Sequence, residues 1–283
     1  MHQLFAGRTL YIATMHGKEQ VIVPLVTEAF WCSCALVEWI DTDQFGTFTR
    51  EVKRPWDMLF TARAKIRCAM EKTGADLVIA SEWSFGPYRA FPLVQANYEL
   101  TVLYDRIHDR EILGHYETVE TNLNATYVSS VDEALAFAES IWFPEHGIIV
   151  RRRKEKSRWL YKEIPTKDAL IDCCKKLFKR PLTSKIYLET DMRAHKNPTR
   201  LRAIAGSTKN LIEAASCLCP ECQRPWFVVT GYEGNRICVG CWRKTEFPTH
   251  QLKQCQWCHF VEREVLVFEK PYIEPSECSI CNP

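Results

Sequence analysis

"LYIATMHGKEQVIVPLV", residues 10–26, decides how the first half of the chain is read. It opens as an apolar run of strand length and breaks at a small polar loop, residues 14–18. Helical spacing follows, with Val21, Leu25 and the Glu28/Ala29 positions on one stripe. A buried strand that feeds a helix is the opening unit of an α/β domain, so residues 8–14 are expected as a strand and 17–31 as a helix. Lys18 stands at the mouth of that helix. Free backbone N–H groups and the positive end of the helix dipole favour an anion there. Lys18 is therefore either a solvated loop lysine or part of a phosphate seat.

Working outward, the pattern repeats. Residues 34–40 (CALVEWI) read as a strand, and 56–73 as an amphipathic helix with Leu59, Ile66 and Met70 inside and Gly74 as its stop. Residues 76–80 (DLVIA) are a short apolar strand, and 98–120 a hairpin turning at His108-Asp109. Helices at 131–142, 166–179 and 199–216 alternate with strands at 147–152 and 184–190. The alternation predicts an α/β domain over 1–215, a mixed central sheet flanked by helices.

The chain has 283 residues and a net charge of +2, enough length for two ordinary domains and no global pull toward nucleic acid or a membrane surface. No apolar run reaches membrane-spanning length, and MHQLFAGRTLY lacks the apolar core of a signal peptide. Fourteen cysteines without such a signal predict a cytoplasmic protein that uses thiols for metal rather than disulfides.

Nine of those cysteines lie between 217 and 281, so residues 216–283 are expected as a separate small zinc-ribbon domain. Four C-x-x-C pairs occur there: Cys219/Cys222, Cys238/Cys241, Cys255/Cys258 and Cys278/Cys281. Each supplies two thiolates from one tight turn, and a structural zinc takes four. Sequential pairing is favoured over interleaving, because each such pair encloses a hairpin-sized segment. That assigns Cys219, Cys222, Cys238 and Cys241 to one zinc and Cys255, Cys258, Cys278 and Cys281 to a second. Cys217 and His259 read as bystanders. So short a module lacks a sufficient core, which couples its folding to metal. No dense Lys/Arg cluster interleaves with aromatics in this region, so nucleic acid is not an expected partner.

Several polar groups gather where an open α/β sheet places its ligands, beyond the carboxyl ends of strands. Glu82 and Ser84 follow DLVIA, and Arg63, Lys65 and Arg67 ride the preceding helix. "ETDMRAHKNPTRLRAI", residues 189–204, packs Asp191, Arg193, His195, Lys196, Asn197 and Arg200 just before a helix. Together they read as a polyanion site with hydrogen-bonding groups for a base.

These stretches also carry a resemblance. "ATMHGK" (13–18) resembles the A-T-x-N-x-x-K opening of the inosine-triphosphate pyrophosphatase and Maf-like superfamily, one residue shorter. "ARAKIRCAMEKTGADLVIASEWSFG" (62–86) is similar to its E-N-A-x-x-K-A helix followed by A-D-D-S-G. "AHKNPTRLRAI" (194–204) is similar to its late S-H-R motif, and the order of the three is the same. The whole chain resembles an uncharacterised bacterial family that joins such a domain to tandem zinc ribbons.

The resemblance implies that superfamily's fold over residues 8–215 and hydrolysis of noncanonical purine triphosphates to monophosphate and pyrophosphate. It implies that Thr14, His16, Lys18, Arg63, Lys65, Ser84, His195, Lys196, Asn197 and Arg200 contact the nucleotide. Glu82 becomes the candidate Mg²⁺ ligand and the catalytic carboxylate of an active enzyme. Alignment on Lys65 puts Phe60 where the family's metal-binding glutamate stands, with Glu51 or Asp57 as nearby substitutes. Ser81-Glu82 replaces its D-D pair, and Trp83 follows. Phenylalanine offers no oxygen ligand, so the expected protein binds a triphosphate such as inosine or deoxyinosine triphosphate and hydrolyses it poorly. It would act as a sensor, a homodimer signalling to an effector protein, by analogy in bacterial antiphage defence. An active pyrophosphatase and a zinc-ribbon adaptor or nucleic-acid binder are the alternatives.

Overall fold

The computed structural model describes residues 2–37, 57–88, 91–154 and 157–282. The chain divides into two compact units, His2–Ile212 and Glu213–Pro283. The short helix α1 (His2–Phe5) leads into β1 (Thr9–Ala13), and α2 (Glu19–Phe30) connects β1 to β2 (Ser33–Leu36). Next come α3 (Met58–Thr73), β3 (Leu77–Pro87), β4 (Gln95–Asp105) and β5 (Arg110–Thr118). These five strands form one sheet in the order β2-β1-β3-β4-β5. The first three are mutually parallel and the last two antiparallel, so the expected mixed sheet is present.

Local chemistry fixes the helix that covers one face. Asp57 caps α3, its Oδ1 accepting from Phe60 N at 2.7 Å, and Gly74 ends it at φ 71°. Its inner side, Ala62, Ile66 and Ala69, packs on Val78 and Ala80 of β3 and Leu100 and Val102 of β4. Alternation along the strands sends the intervening side chains to the opposite face. There α6 (Pro198–Ser216) lies against the sheet: Thr101 and Ser207 hydroxyls meet at 2.7 Å. Contact is so close at Gly114 that a Cβ would stand 2.1 Å from Ser207 O, so only glycine fits.

The remaining strands of this unit do not extend that sheet. β6 (Ala125–Val128), β7 (Ile148–Arg151), β8 (Leu160–Tyr161) and β9 (Ile186–Thr190) form a second one, ordered β6-β9-β7-β8 and antiparallel throughout. Helices α4 (Val131–Ser140) and α5 (Lys167–Phe178) cover it, capped by Ser130 and Thr166, and a separate core forms around Phe137, Ile148, Leu170, Leu177 and Leu188. One central sheet was expected and two are found. β6 and β8, at four and two residues, are too short to leave an apolar run. β3 is longer than expected because β4 pairs with it from Leu77↔Asp105 to Pro87↔Gln95.

The C-terminal unit is built on an antiparallel sheet of β10 (Phe227–Glu233), β11 (His250–Cys255) and β12 (Val261–Val265). Among the described residues no helix is long and apolar enough to cross a membrane.

Candidate functional site

The β1–β3 register, Tyr11↔Val78 through Ala13↔Ala80, aligns the carboxyl ends of two parallel strands. The loop after β1 therefore emerges beside Ser81. His16 and Gly17 both take left-handed backbone (φ 68° and 77°), which folds the loop back sharply. Lys18 follows at the start of α2 and is 6% exposed. Its Nζ donates to the carbonyl and to the hydroxyl of Ser81, both at 3.0 Å.

Around this ammonium the fold gathers four more buried charges. Lys65 of α3 pairs with Glu82 of β3. Across the sheet, Trp83 stands opposite Glu99 of β4, and Arg200 of α6 engages both. Its Nε donates to Glu99 Oε1 at 3.1 Å, its guanidinium lies 4.3 Å above the Trp83 ring, and it donates to the Met192 carbonyl. Lys18, Lys65, Glu82, Glu99 and Arg200 are all less than a tenth exposed. Burial pushes the Glu99 carboxyl up, against Arg200 and Lys18. Burial, then the charges of Arg200 and Lys65, push Lys18 down to about 7.

A second polar group borders the first. The loop after β9 docks on the first loop: His195 N donates to His16 O at 2.7 Å, and their rings stack 5.4 Å apart. A Cβ on Gly17 would meet His195 Cβ at 3.0 Å, a second reason for glycine there. Glu163 ties this loop down, accepting from Arg193 at 2.7 Å and Lys196 at 2.6 Å, with His195 at 3.4 Å. Burial raises Glu163, but Lys196, Arg193 and His195 outweigh it and hold the carboxyl at about 2.

Of the residues singled out from the sequence, Lys18, Lys65, Glu82 and Arg200 meet in the buried cluster, and His16, His195 and Lys196 meet beside it. Others are placed differently. Arg63 is drawn to the surface by Glu111, its Nε and Nη2 donating at 2.8 and 2.6 Å. Asn197 is a structural cap: Oδ1 accepts from Arg200 N at 2.9 Å, and Nδ2 donates to Asn122. Thr14 donates to the Met15 carbonyl next door, and Ser84 sits two residues beyond Glu82, where Ser81 is the serine that meets Lys18. Phe60 occupies the first turn of α3, 41% exposed, with Arg67 over its ring. Glu51 lies outside the described residues. With Glu82 held by Lys65, a magnesium ion there would have to displace the ammonium. Sequence reasoning missed Glu99 and Glu163. Glu99 left a signal, an acid inside the apolar strand YELTVLY, while Glu163 left none.

The cysteines form two groups of four, but not in the expected pairing. Cys219 and Cys222 join Cys255 and Cys258, and Cys238 and Cys241 join Cys278 and Cys281. The register explains the interleaving. Phe227↔Cys255 brings the first and third turns to one end of the β10–β11 ladder. Past the other end, Cys238 bridges Ile273, which leads the fourth turn to the second. Sulfur separations of 3.6–3.8 Å across the paired turns match the roughly 3.8 Å edge of a tetrahedron with metal–sulfur bonds of about 2.3 Å. Backbone N–H groups point at the sulfurs: Gly240 to Cys238 and Trp257 to Cys255, each at 3.3 Å. The N–H groups of Cys241 and Gly240 hold the Cys238 thiol down to about 7, the side on which a thiolate ligand is ready. The donor set fits two zinc ions. Cys217 and His259 belong to neither group.

No functionally curated protein matches the chain. The model of a family described only as a domain of unknown function, DUF6671, matches residues 65–283. The matched segment takes in Lys65, Glu82, Glu99, Arg200 and both cysteine groups, though not Lys18, and covers well over half of the chain, which therefore belongs to the DUF6671 family.

Proposed function

We propose that the N-terminal unit binds a purine nucleoside triphosphate at the carboxyl edge of β1 and β3 and works as a sensor with little or no pyrophosphatase activity. One observation carries the reading: Lys18, delivered to that edge by the turn after β1, is a buried lysine whose ammonium, among the described residues, donates only to the two oxygens of Ser81. Its neighbours Arg200 and Lys65 repel its charge. An anion at this point would relieve that repulsion and restore the proton. His16 and His195, stacked at the border, supply ring faces and nitrogen atoms for a base. The weak-hydrolysis half of the proposal rests on Phe60 and on the Lys65–Glu82 pair, which leave no open carboxylate cage for magnesium among the described residues. The two cysteine centres brace the C-terminal unit, which would be the part that meets an effector.

Thermal shifts with inosine, deoxyinosine and xanthosine triphosphates, with and without Mg²⁺, test the binding. Stabilisation by the triphosphates and far less by the nucleosides is expected, with slow pyrophosphate release. Absence of any shift at millimolar ligand would defeat the proposal.

A further inference from the structure

A basic run on the second sheet plays no part in the site above. Residues 151–158 read RRRKEKSR, and residues 179–185 read KRPLTSK. Among the described residues the fold places 151–154 beside 180–185, and internal bonds hold them there. Arg151 is consumed by the buried Glu189. Arg152 Nη2 donates to the Pro181 carbonyl at 2.9 Å, tying the strand end to the turn before β9. Arg180 stacks on Trp159, 3.1 Å from its ring centroid. Lys154 N donates to the Tyr127 hydroxyl at 3.2 Å.

Between these segments opens a cavity of about 250 Å³, lined by Tyr127, Arg152, Arg153, Thr183, Ser184 and Lys185, together with Leu182. Among the described residues of the lining three are cations, three carry hydroxyls and none is acidic. Arg153, Ser184 and Lys185 are exposed, and Tyr127 is 48% exposed while its ring leans on Tyr187, 5.0 Å away. Cations beside hydroxyl donors suit phosphate oxygens, and an anchored, half-open aromatic suits the face of a base. The cavity is too small for a folded partner's surface but holds about one nucleotide's phosphate and sugar.

We propose that this pocket binds the phosphodiester backbone of a single-stranded nucleic acid, with Arg152, Arg153 and Lys185 on the phosphates and Tyr127 against a base. Nucleic acid, absent as an expected partner at the cysteine-rich end, thus finds its chemistry on the other unit. The site is independent of the triphosphate reading at Lys18.

The test is fluorescence anisotropy of a labelled oligouridylate titrated with the full zinc-loaded chain. Three neutralised phosphates on a single strand predict a log–log salt slope of about −2, a loss of roughly twentyfold between about 50 and 200 mM salt. Arg153→Glu with Lys185→Glu, both exposed and outside the packed bonds, should weaken binding at least tenfold while melting temperature and zinc content stay unchanged. Lys18→Ala should bind the oligonucleotide like the wild type. Equal affinity of the double variant, or no wild-type binding at low salt, overturns the proposal. So does equal competition by polyglutamate, which would show plain polyanion affinity, or by inorganic triphosphate, which would show a small-anion site. A loss of oligonucleotide binding in Lys18→Ala overturns the assignment to this pocket.

Discussion

Cys238→Ser separates interleaved from sequential metal pairing, because the two topologies free different thiols. In the structure Cys238 shares a centre with Cys241, Cys278 and Cys281. Its contact with Cys281 closes a loop of 43 residues, and the Cys241–Cys278 contact one of 37. Opening a loop of that length releases roughly 4 kcal/mol of chain entropy on the closure model. The core that remains around this centre is small: Cys238, Ile273 and Cys278, with Phe247 and Cys241 against it. A unit of this size has only about 4–10 kcal/mol of total stability. The variant should therefore lose this centre outright, and zinc should fall from two equivalents to one. Brief alkylation followed by peptide mass spectrometry should label Cys241, Cys278 and Cys281, while Cys219, Cys222, Cys255 and Cys258 stay protected. Labelling of Cys219 and Cys222 with protection of Cys278 and Cys281 would refute the interleaved account.

Lys18→Met should stabilise the ligand-free protein by about 1–4 kcal/mol, since burial disfavours the Lys18 charge and Arg200 and Lys65 outweigh Glu82 and Glu99 around it; a melt showing destabilisation would make Lys18 structural. The same lysine sets a pH dependence. Unfolded, it keeps its proton to about 10.5 and folded only to about 7, so stability should rise with pH across that window, and Lys18→Met should flatten the rise. Asp105→Asn should cost about 2–4 kcal/mol in chemical denaturation, because the buried Asp105 receives two bonds of 2.8 Å from Arg8. Gly114→Ala should cost about 3 kcal/mol or more in the same assay, the new methyl colliding with the α6 backbone.

Elements with strong period and clear punctuation were legible. Asp57 and Gly74 bracket α3, and the break after Ala13 announces the β1–α2 turn, all by local chemistry. Lys18, Lys65, Glu82 and Arg200 were legible as candidate site residues because each stands near the end of a readable strand or helix. What escaped depends on pairing between distant segments. Arg63 carries the same charge as Lys65, but Glu111, across the sheet, draws it away. Asn197 looks like a ligand group until Asn122 and the start of α6 claim its amide. The cysteine grouping followed the register of β10 on β11, which no spacing between C-x-x-C pairs encodes. The split into two sheets likewise hung on β6 and β8, strands defined by their partners rather than by their own residues.

Calorimetric titration of inosine triphosphate into wild type and Lys18→Ala in parallel reads whether Lys18 seats a triphosphate. Wild type should bind with proton uptake at pH 8, as the bound anion recharges Lys18, and the variant more weakly by about 1.5–3 kcal/mol, roughly ten- to 150-fold. Equal affinities, or no binding to the wild type at millimolar nucleotide, would contradict a triphosphate seat at Lys18.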